Sequence, residues 1–560
     1  MTAAIPTRQS AIQLIGPDKL ILNRNKKIHP VGPHQILARV EAVGLCFSDL
    51  KLLKQFDRHA RKSEVLSGID KAVLSEISSY CPGDLPTVPG HETVCTLVAV
   101  GDKVRHHQVG QRVLVQTDYR WLKTAASNAA FGYNFEGALQ QYVLMDERVI
   151  IEPDTDESFL IPVPAHLGAS AVALVEPWAC VECSYVTEER RTLLAGGRLL
   201  IASDAGHKLT GLAECVVSGR PKIITAVCAE DSQFKQIQSL GQAVHFKDIR
   251  QLPDGAVFDD IIYFGCDKNR LDGLNDRLAA SGIMNVVPGG KKIGKPVNVG
   301  VGRVHYGNTR WIGTPGENAC ESYKIIPQTG EIRDNEKIIV VGAAGPMGQM
   351  HVIRLVCEGK KGVSVSGTDF DDGRLASLEK KARPFAQKNR IQLRLINPQK
   401  QPDNDKYSYF AVMAPVGALV AQAVRNSLPG TLINIFAGIP ADVRQELDMD
   451  TYIANRCFMF GTSGSRLSDM KRVLQKVTAS RLDTDVSVDA VSGMAGATDG
   501  LAAVENRTLS GKIIVYPALV DMPMITLSEL ATQYPAVAAK LHQGMWTKQA
   551  EEELLKQANL

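Results

Sequence analysis

The sequence predicts an α/β chain, with a mainly antiparallel β domain followed by two doubly wound parallel-sheet domains. Three observations lead there. From about residue 10 to 150, short β-rich runs such as "HQILARVEAVGL", "HETVCTLVAVGDKV", "GQRVLVQTDY" and "GALQQYVLM" are broken by turn residues. After "VPAHLGASAVALVEPWACVECSYV" apolar strands alternate with helical segments, the texture of βαβ units on a parallel sheet. That texture then occurs twice, in the same order and with similar spacing.

At 560 residues the chain is long enough for several domains, with 44% hydrophobic and 22% charged residues. A net charge of +3 gives no electrostatic handle for nucleic acid, so small molecules are the expected partners. "MTAAIPTRQSAIQLIG" lacks a basic start followed by an apolar core, and no window of about 18 apolar residues appears, so a cytoplasmic protein away from membranes is expected. Eleven cysteines, an odd number scattered over the chain, read as reduced and mostly buried.

In chain order, the β domain is interrupted at 51–86 by "KLLKQFDRHARKSEVLSGIDKAVLSEISSY", whose spacing is helical and whose surface is basic. The first βαβ domain opens with "GGRLLIASDAGHKLTGLAECVV" and closes with "RVHYGNTRWIGTPG"; the second opens with "EKIIVVGAAGPMGQMHVIRLV" and closes with "NRCFMFGTSG". Their join falls near "PQTGEIRDNEK". The expected domains are 1–190, completed by about 480–518, then 191–330 and 331–480, with a helical tail at 519–560.

Gly342, Gly345 and Gly348 lie in "VVGAAGPMGQM" between a strand and an amphipathic helix, with Pro346 and Met347 inside the loop. Glycine lets the backbone approach a pyrophosphate, and the helix N-terminus supplies N–H groups. Asp369, 21 residues beyond Gly348, is placed to accept bonds from ribose hydroxyls and to repel a 2′-phosphate, which favours NAD. The corresponding turn of the first copy, "SDAGHKLTG", keeps only Gly206, with Asp204 and Leu209 at the flanking positions. That copy is expected not to bind a dinucleotide and to serve as a spacer, an oligomer interface or a lid.

Cys46 follows an apolar strand, His91 and Glu92 come 45 residues later at a turn, and Glu176 opens a helix another 84 on. Cysteine, histidine and carboxylate are ligand types that zinc prefers, and three protein ligands with one open position make a catalytic site. Singly, each residue is equally at home in a protein core.

Together "GLCFSDL", "PGHETVCTLVAVGDKV", "GQRVLV", "VEPWAC", "VVGAAGPMG" and "SGKIIV" resemble the medium-chain zinc-dependent alcohol dehydrogenase superfamily. Within it they are most similar to the polyol, threonine and sugar-phosphate branch that includes sorbitol dehydrogenase and sorbose-1-phosphate reductase. The resemblance covers about residues 10–190 and 335–517. It implies a GroES-like catalytic domain, a single Rossmann-type cofactor domain where this chain has two βαβ domains, one catalytic Zn2+, NAD and a homo-oligomer. By position it implies Cys46 and His91 as zinc ligands, Glu92 or Glu176 as a third or exchangeable ligand, Ser48 as the proton relay and Asp49 as a support behind them. The four closely spaced cysteines that hold a structural zinc in some members are missing after "GQRVLV", so no structural zinc is expected. Cys180 and Cys183, a CxxC on a helix, read as packing residues.

The implied substrate is a polyol, sugar or sugar phosphate, oxidised or reduced at a secondary carbon. Lys51, Lys54, Arg112 and Arg120 are candidate phosphate partners, and Tyr119, Trp121, Tyr133 and Phe135 candidate walls of a sugar pocket. Two other readings stand beside this one. One is an epimerase or lyase that uses transient oxidation by tightly held NAD. The other is a non-catalytic scaffold that keeps the fold.

Overall fold

The computed structural model describes residues 5–557. The chain divides into two compact units, one made of residues up to 180 together with 465 onward, the other of residues 181–464. Among the described residues no helix is long and apolar enough to cross a membrane.

The first unit is built on an eight-stranded sheet. Its centre is Gln35–Gly44, paired antiparallel with Glu92–Val100 on one side and with Lys512–Val515 on the other. Val488–Ser492 runs parallel to Lys512–Val515, so the end of the chain completes a sheet begun near its start. Register decides what meets at the sheet's end. Gly44 lies opposite both Glu92 and Ile514, which brings the residues after Gly44, before Glu92 and around Lys512 to one place.

The segment 51–86 differs from the helical expectation. Only Phe47–Gln55 and Lys71–Ser75 are α-helical, with two single 3-10 turns between them. Phe56 ends the first helix at φ 45° and Gly68 adopts φ 102° against the Trp121 carbonyl, so the backbone turns out of helix where the apolar spacing continues.

Beyond residue 519 the chain contains a two-residue strand, Ile525–Thr526, and three helices, of which Lys548–Lys556 is the longest. The Glu551 carboxylate accepts hydrogen bonds from the Ala169 and Ser170 N–H groups at 2.6 and 2.7 Å, and Trp546 Nε1 donates to Ser170 Oγ. An acid at a helix start satisfies donors that have no partner within the helix, and here it anchors the end of the chain.

The second unit holds two six-stranded parallel sheets of the same doubly wound order. In the first half the order is 243–246, 223–227, 198–203, 258–264, 278–287 and 310–313; in the second it is 392–396, 364–368, 337–341, 407–412, 427–435 and 458–460. The strand order 3-2-1-4-5-6 in each is that of dinucleotide-binding folds. Chain entry and exit of the first half lie side by side, since Glu189 N–H donates to the Gln328 carbonyl at 2.9 Å beside a Glu188–Thr329 bridge. One continuous hydrophobic core runs from Leu200 and Met284 of the first half to Ile435 and Met459 of the second.

Candidate active site

In the first unit the sheet's end gathers a donor set. Cys46 caps the helix Phe47–Gln55, and His91 immediately precedes Glu92 at the start of its strand. One donor atom from each of Cys46, His91 and Glu92 falls within 4.8 Å of the others, the one such grouping of three or more among the described residues. A single carboxylate orients two of them. Asp49 Oδ2 accepts from the Cys46 N–H at 3.0 Å, while its Oδ1 lies 3.0 Å from His91 Nδ1. That leaves His91 Nε2 directed at Ser48, whose Oγ is 3.1 Å from it and 3.0 Å from Cys46 Sγ. Burial by itself would lower the His91 pKa, but the charge of Asp49, with Tyr133 and Cys46, outweighs it and raises the value well above the ordinary one.

Glu92 is fully buried and divided in its bonding. Its Oε1 accepts from Lys512 Nζ at 2.6 Å, while Oε2 has no hydrogen-bond partner. A buried carboxylate that keeps one orphaned oxygen and is grouped with a thiol and an imidazole fits a divalent cation, because a buried acceptor otherwise keeps its full desolvation cost. Glu176, on the helix Val175–Val186, is also buried. Burial lifts its carboxyl to about 7, with His91 and Lys512 pulling down and Glu92 and Asp118 pushing up.

Other named side chains sort by position. Tyr133 packs its ring 5.8 Å from that of His91 and 5.1 Å from His59, with its hydroxyl on the side of Ser48. Tyr119 and Phe135 pack on each other, Tyr119 also on Phe159 and Phe135 on Tyr80, within the core; Trp121 is half-buried. Among the cations, Lys54 pairs with Glu505, Arg112 with Glu41 and two carbonyls, Arg120 with the Ser465 carbonyl and Asp118, and Lys51 lies over the Phe47 ring. The guanidinium that does reach the site is Arg61, 3.0 Å from Asp118 and 5.5 Å from the Tyr133 ring centre. Arg61 lies in none of the quoted motifs, and Lys512, though inside "SGKIIV", is not among the expected site residues. Cys180 and Cys183 lie on the helix of Glu176, with Cys180 Sγ 3.8 Å from the Glu176 carboxylate.

In the second unit, Gly342 turns the chain at φ 80° after the strand Lys337–Val341, and Gly345 caps the helix Pro346–Cys357. Space around a Cβ at Gly345 is open, whereas a Cβ at Gly348 would run into the Gly342 carbonyl and Ala343 backbone. Pro346 starts the helix on its exposed side and Met347 is half-buried. Asp369, just past the strand Ser364–Thr368, reaches back so that its Oδ2 accepts from the Ala344 N–H at 3.2 Å. The loop of the first half is built otherwise. Its Gly206 N–H already donates to the Glu230 carboxylate, Asp204 is held by the Tyr263 hydroxyl and Arg270, and helix begins only at Leu212.

Residues 32–154 match the model of the alcohol dehydrogenase GroES-like domain family. The chain is 30% identical over 311 residues to L-sorbose 1-phosphate reductase of Klebsiella pneumoniae, covering 51% of this chain and 70% of that one. It is 23% identical over 316 residues to the protein YggP of Escherichia coli K12, covering 50% and 72%. The solved structure of the alcohol dehydrogenase RspB of E. coli CFT073 with NADH shares the fold at 12% identity and a TM-score of 0.50, covering 91% of this chain and all of that one. The chain belongs to the medium-chain alcohol dehydrogenase family. As such it is an oxidoreductase acting on CH–OH groups, with a GroES-like catalytic part and Rossmann-type parallel sheets.

Proposed function

We propose that the protein is a zinc- and NAD-dependent oxidoreductase that interconverts a secondary alcohol and a ketone on a polyol, sugar or sugar phosphate. The observation that carries this reading is the convergence of Cys46, His91 and a buried Glu92 carboxylate oxygen, with the Ser48 hydroxyl beside Cys46 and His91. Cys46, His91 and Glu92 would hold the metal, with Glu176 the exchangeable carboxylate beside them. Bound zinc supplies Lewis acidity toward the substrate oxygen, and bound NAD supplies the hydride acceptor.

The chain's own groups do the rest. Asp49 keeps the proton on His91 Nδ1 and so leaves Nε2 free as a ligand. Ser48 Oγ takes up the substrate's hydroxyl proton and passes it on, in contact with Tyr133. In the second unit, the Gly342–Gly348 loop and the helix start at Pro346 offer N–H groups to a pyrophosphate, and Asp369 offers a carboxylate to ribose hydroxyls. A sugar-phosphate substrate also accords with the name of the Klebsiella relative.

The test measures metal content and NAD binding on one purified sample of wild type, Cys46→Ser and Gly345→Asp. About one zinc per chain, lost in the first variant, with NAD affinity lost in the second, is the expected result. A wild-type protein free of zinc and indifferent to NAD would overturn the reading.

A further inference from the structure

The two halves of the second unit meet through elements that correspond to each other. The strand Val297–Val299 of the first half pairs antiparallel with Gln445–Leu447 of the second, and these occupy the same place in the two element orders, 148 residues apart. Under that shift Val297 corresponds to Gln445 and Val299 to Leu447. The observed pairs, Val297 with Leu447, Asn298 with Glu446 and Val299 with Gln445, therefore exchange into one another about Asn298 and Glu446. This is the pattern of a twofold axis.

Contacts further from that axis obey the same exchange. Gly313 backs onto Ile453, and its counterpart Gly461 backs onto His305, the counterpart of Ile453. Gly302 packs on Pro440 and Ala441 and donates its N–H to the Val443 carbonyl. Its counterpart Asp450 accepts from the N–H groups of Ile293, which corresponds to Ala441, and Gly294 at 2.9 and 2.7 Å. Val304 and Tyr452, again counterparts, are both fully buried in the shared core. An interface in which residue i meets j while the counterpart of j meets the counterpart of i is isologous, the form by which two identical subunits dimerise.

We propose that residues 191–330 are a built-in partner subunit. They occupy, by pseudo-twofold docking, the self-complementary face of the nucleotide-binding half on which a second copy of this chain would otherwise sit. The pair keeps one glycine-rich loop that leads straight into a helix, at Gly342–Gly348, whereas in the first half helix begins only at Leu212. The inference rests on the interface alone and stands whether or not the chain uses zinc.

Asn298 is half-buried and Glu446 exposed, so cysteines are tolerated at both, and directly opposed residues of an antiparallel pair lie close enough for a disulfide or a short bis-maleimide bridge. Asn298→Cys/Glu446→Cys chains, unlabelled and 15N-labelled, are mixed, cross-linked and mapped by mass spectrometry. Joined 298–446 peptides carrying one label only are expected. Mixed-label 298–446 peptides, or both thiols unlinked, would overturn the proposal. Glu446→Cys alone gives a second reading, since docking of two chains through the face of the nucleotide-binding half would bring residue 446 against its own copy. No 446–446 link is expected, and its appearance would also overturn the proposal.

Discussion

At the scale of single residues, the candidate metal site is defined as much by the partners of its ligands as by the ligands. Asp49 fixes Cys46 and His91 together, and Lys512 neutralises half of Glu92 while leaving the other oxygen open. Arg61 is the residue with a consequence for substrate choice. Its guanidinium, steadied by Asp118 and the Tyr133 ring, is a positive group beside the site, whereas Lys54 and Arg112 are paired with Glu505 and Glu41. Arg61→Gln should raise KM for a phosphorylated polyol by about 10-fold or more, the loss of one charge-assisted hydrogen bond, and leave KM for its unphosphorylated form within about two-fold. Steady-state kinetics on the two substrates checks this, and equal effects on both would count against a phosphate contact. Cys46, His91 and Glu92 are legible in the sequence because ligand types flank predicted strand ends. Lys512 and Arg61 are not, since Lys512 is 420 residues from Glu92 and only strand register brings them together, while Arg61 stands in a segment whose spacing suggests a long helix.

Among the elements, the strand–loop–helix at 337–357 shows how three glycines do different work. Gly342 is needed for its positive φ, Gly345 for open space over the loop, and Gly348 for close packing of helix on strand. Gly348→Ala forces a Cβ into the Gly342 carbonyl, so the helix start must move. The expected outcome is a loss of about 1–3 kcal/mol in stability and at least about a tenfold weaker NAD affinity, read by urea unfolding and calorimetry. Unchanged affinity would show that the loop does not set the nucleotide's position. The alternation of strand and helix through both halves of the second unit is plain in the sequence because each parallel strand is an unbroken apolar run. What the sequence withholds is the 51–86 segment, where a positive φ at Phe56 and at Gly68 overrides helical spacing.

For the molecule as a whole, pH also acts through buried groups other than the candidate ligands. His351, on the helix that follows the glycine loop, is fully buried, with Nδ1 on the Tyr185 hydroxyl at 2.8 Å and Nε2 without a partner. Burial, aided by the charge of Arg354, lowers its pKa to about 3. Its unfolded value is about 6.5, so below that pH the unfolded chain takes up a proton that the folded one refuses. Stability from this group is complete above about pH 6.5 and is lost as pH falls toward 3, by about 1.4 kcal/mol at pH 5.5. Hydrogen exchange at residues 338–356 in wild type and His351→Gln, at pH 7.5 and 5.5, should show the larger acid loss in wild type. Equal losses would assign the acid sensitivity to other groups.

The adjacent entry and exit of residues 191–330, joined at Glu188–Thr329, fix another property of the whole chain. A tethered neighbour is present at an effective concentration on the order of millimolar, whatever the number of molecules in solution. The apolar face of the nucleotide-binding half is therefore covered by first-order docking, and during synthesis its cover has already left the ribosome when that half emerges. An assembly that separate subunits lose on dilution is, in this chain, independent of how much protein the cell makes.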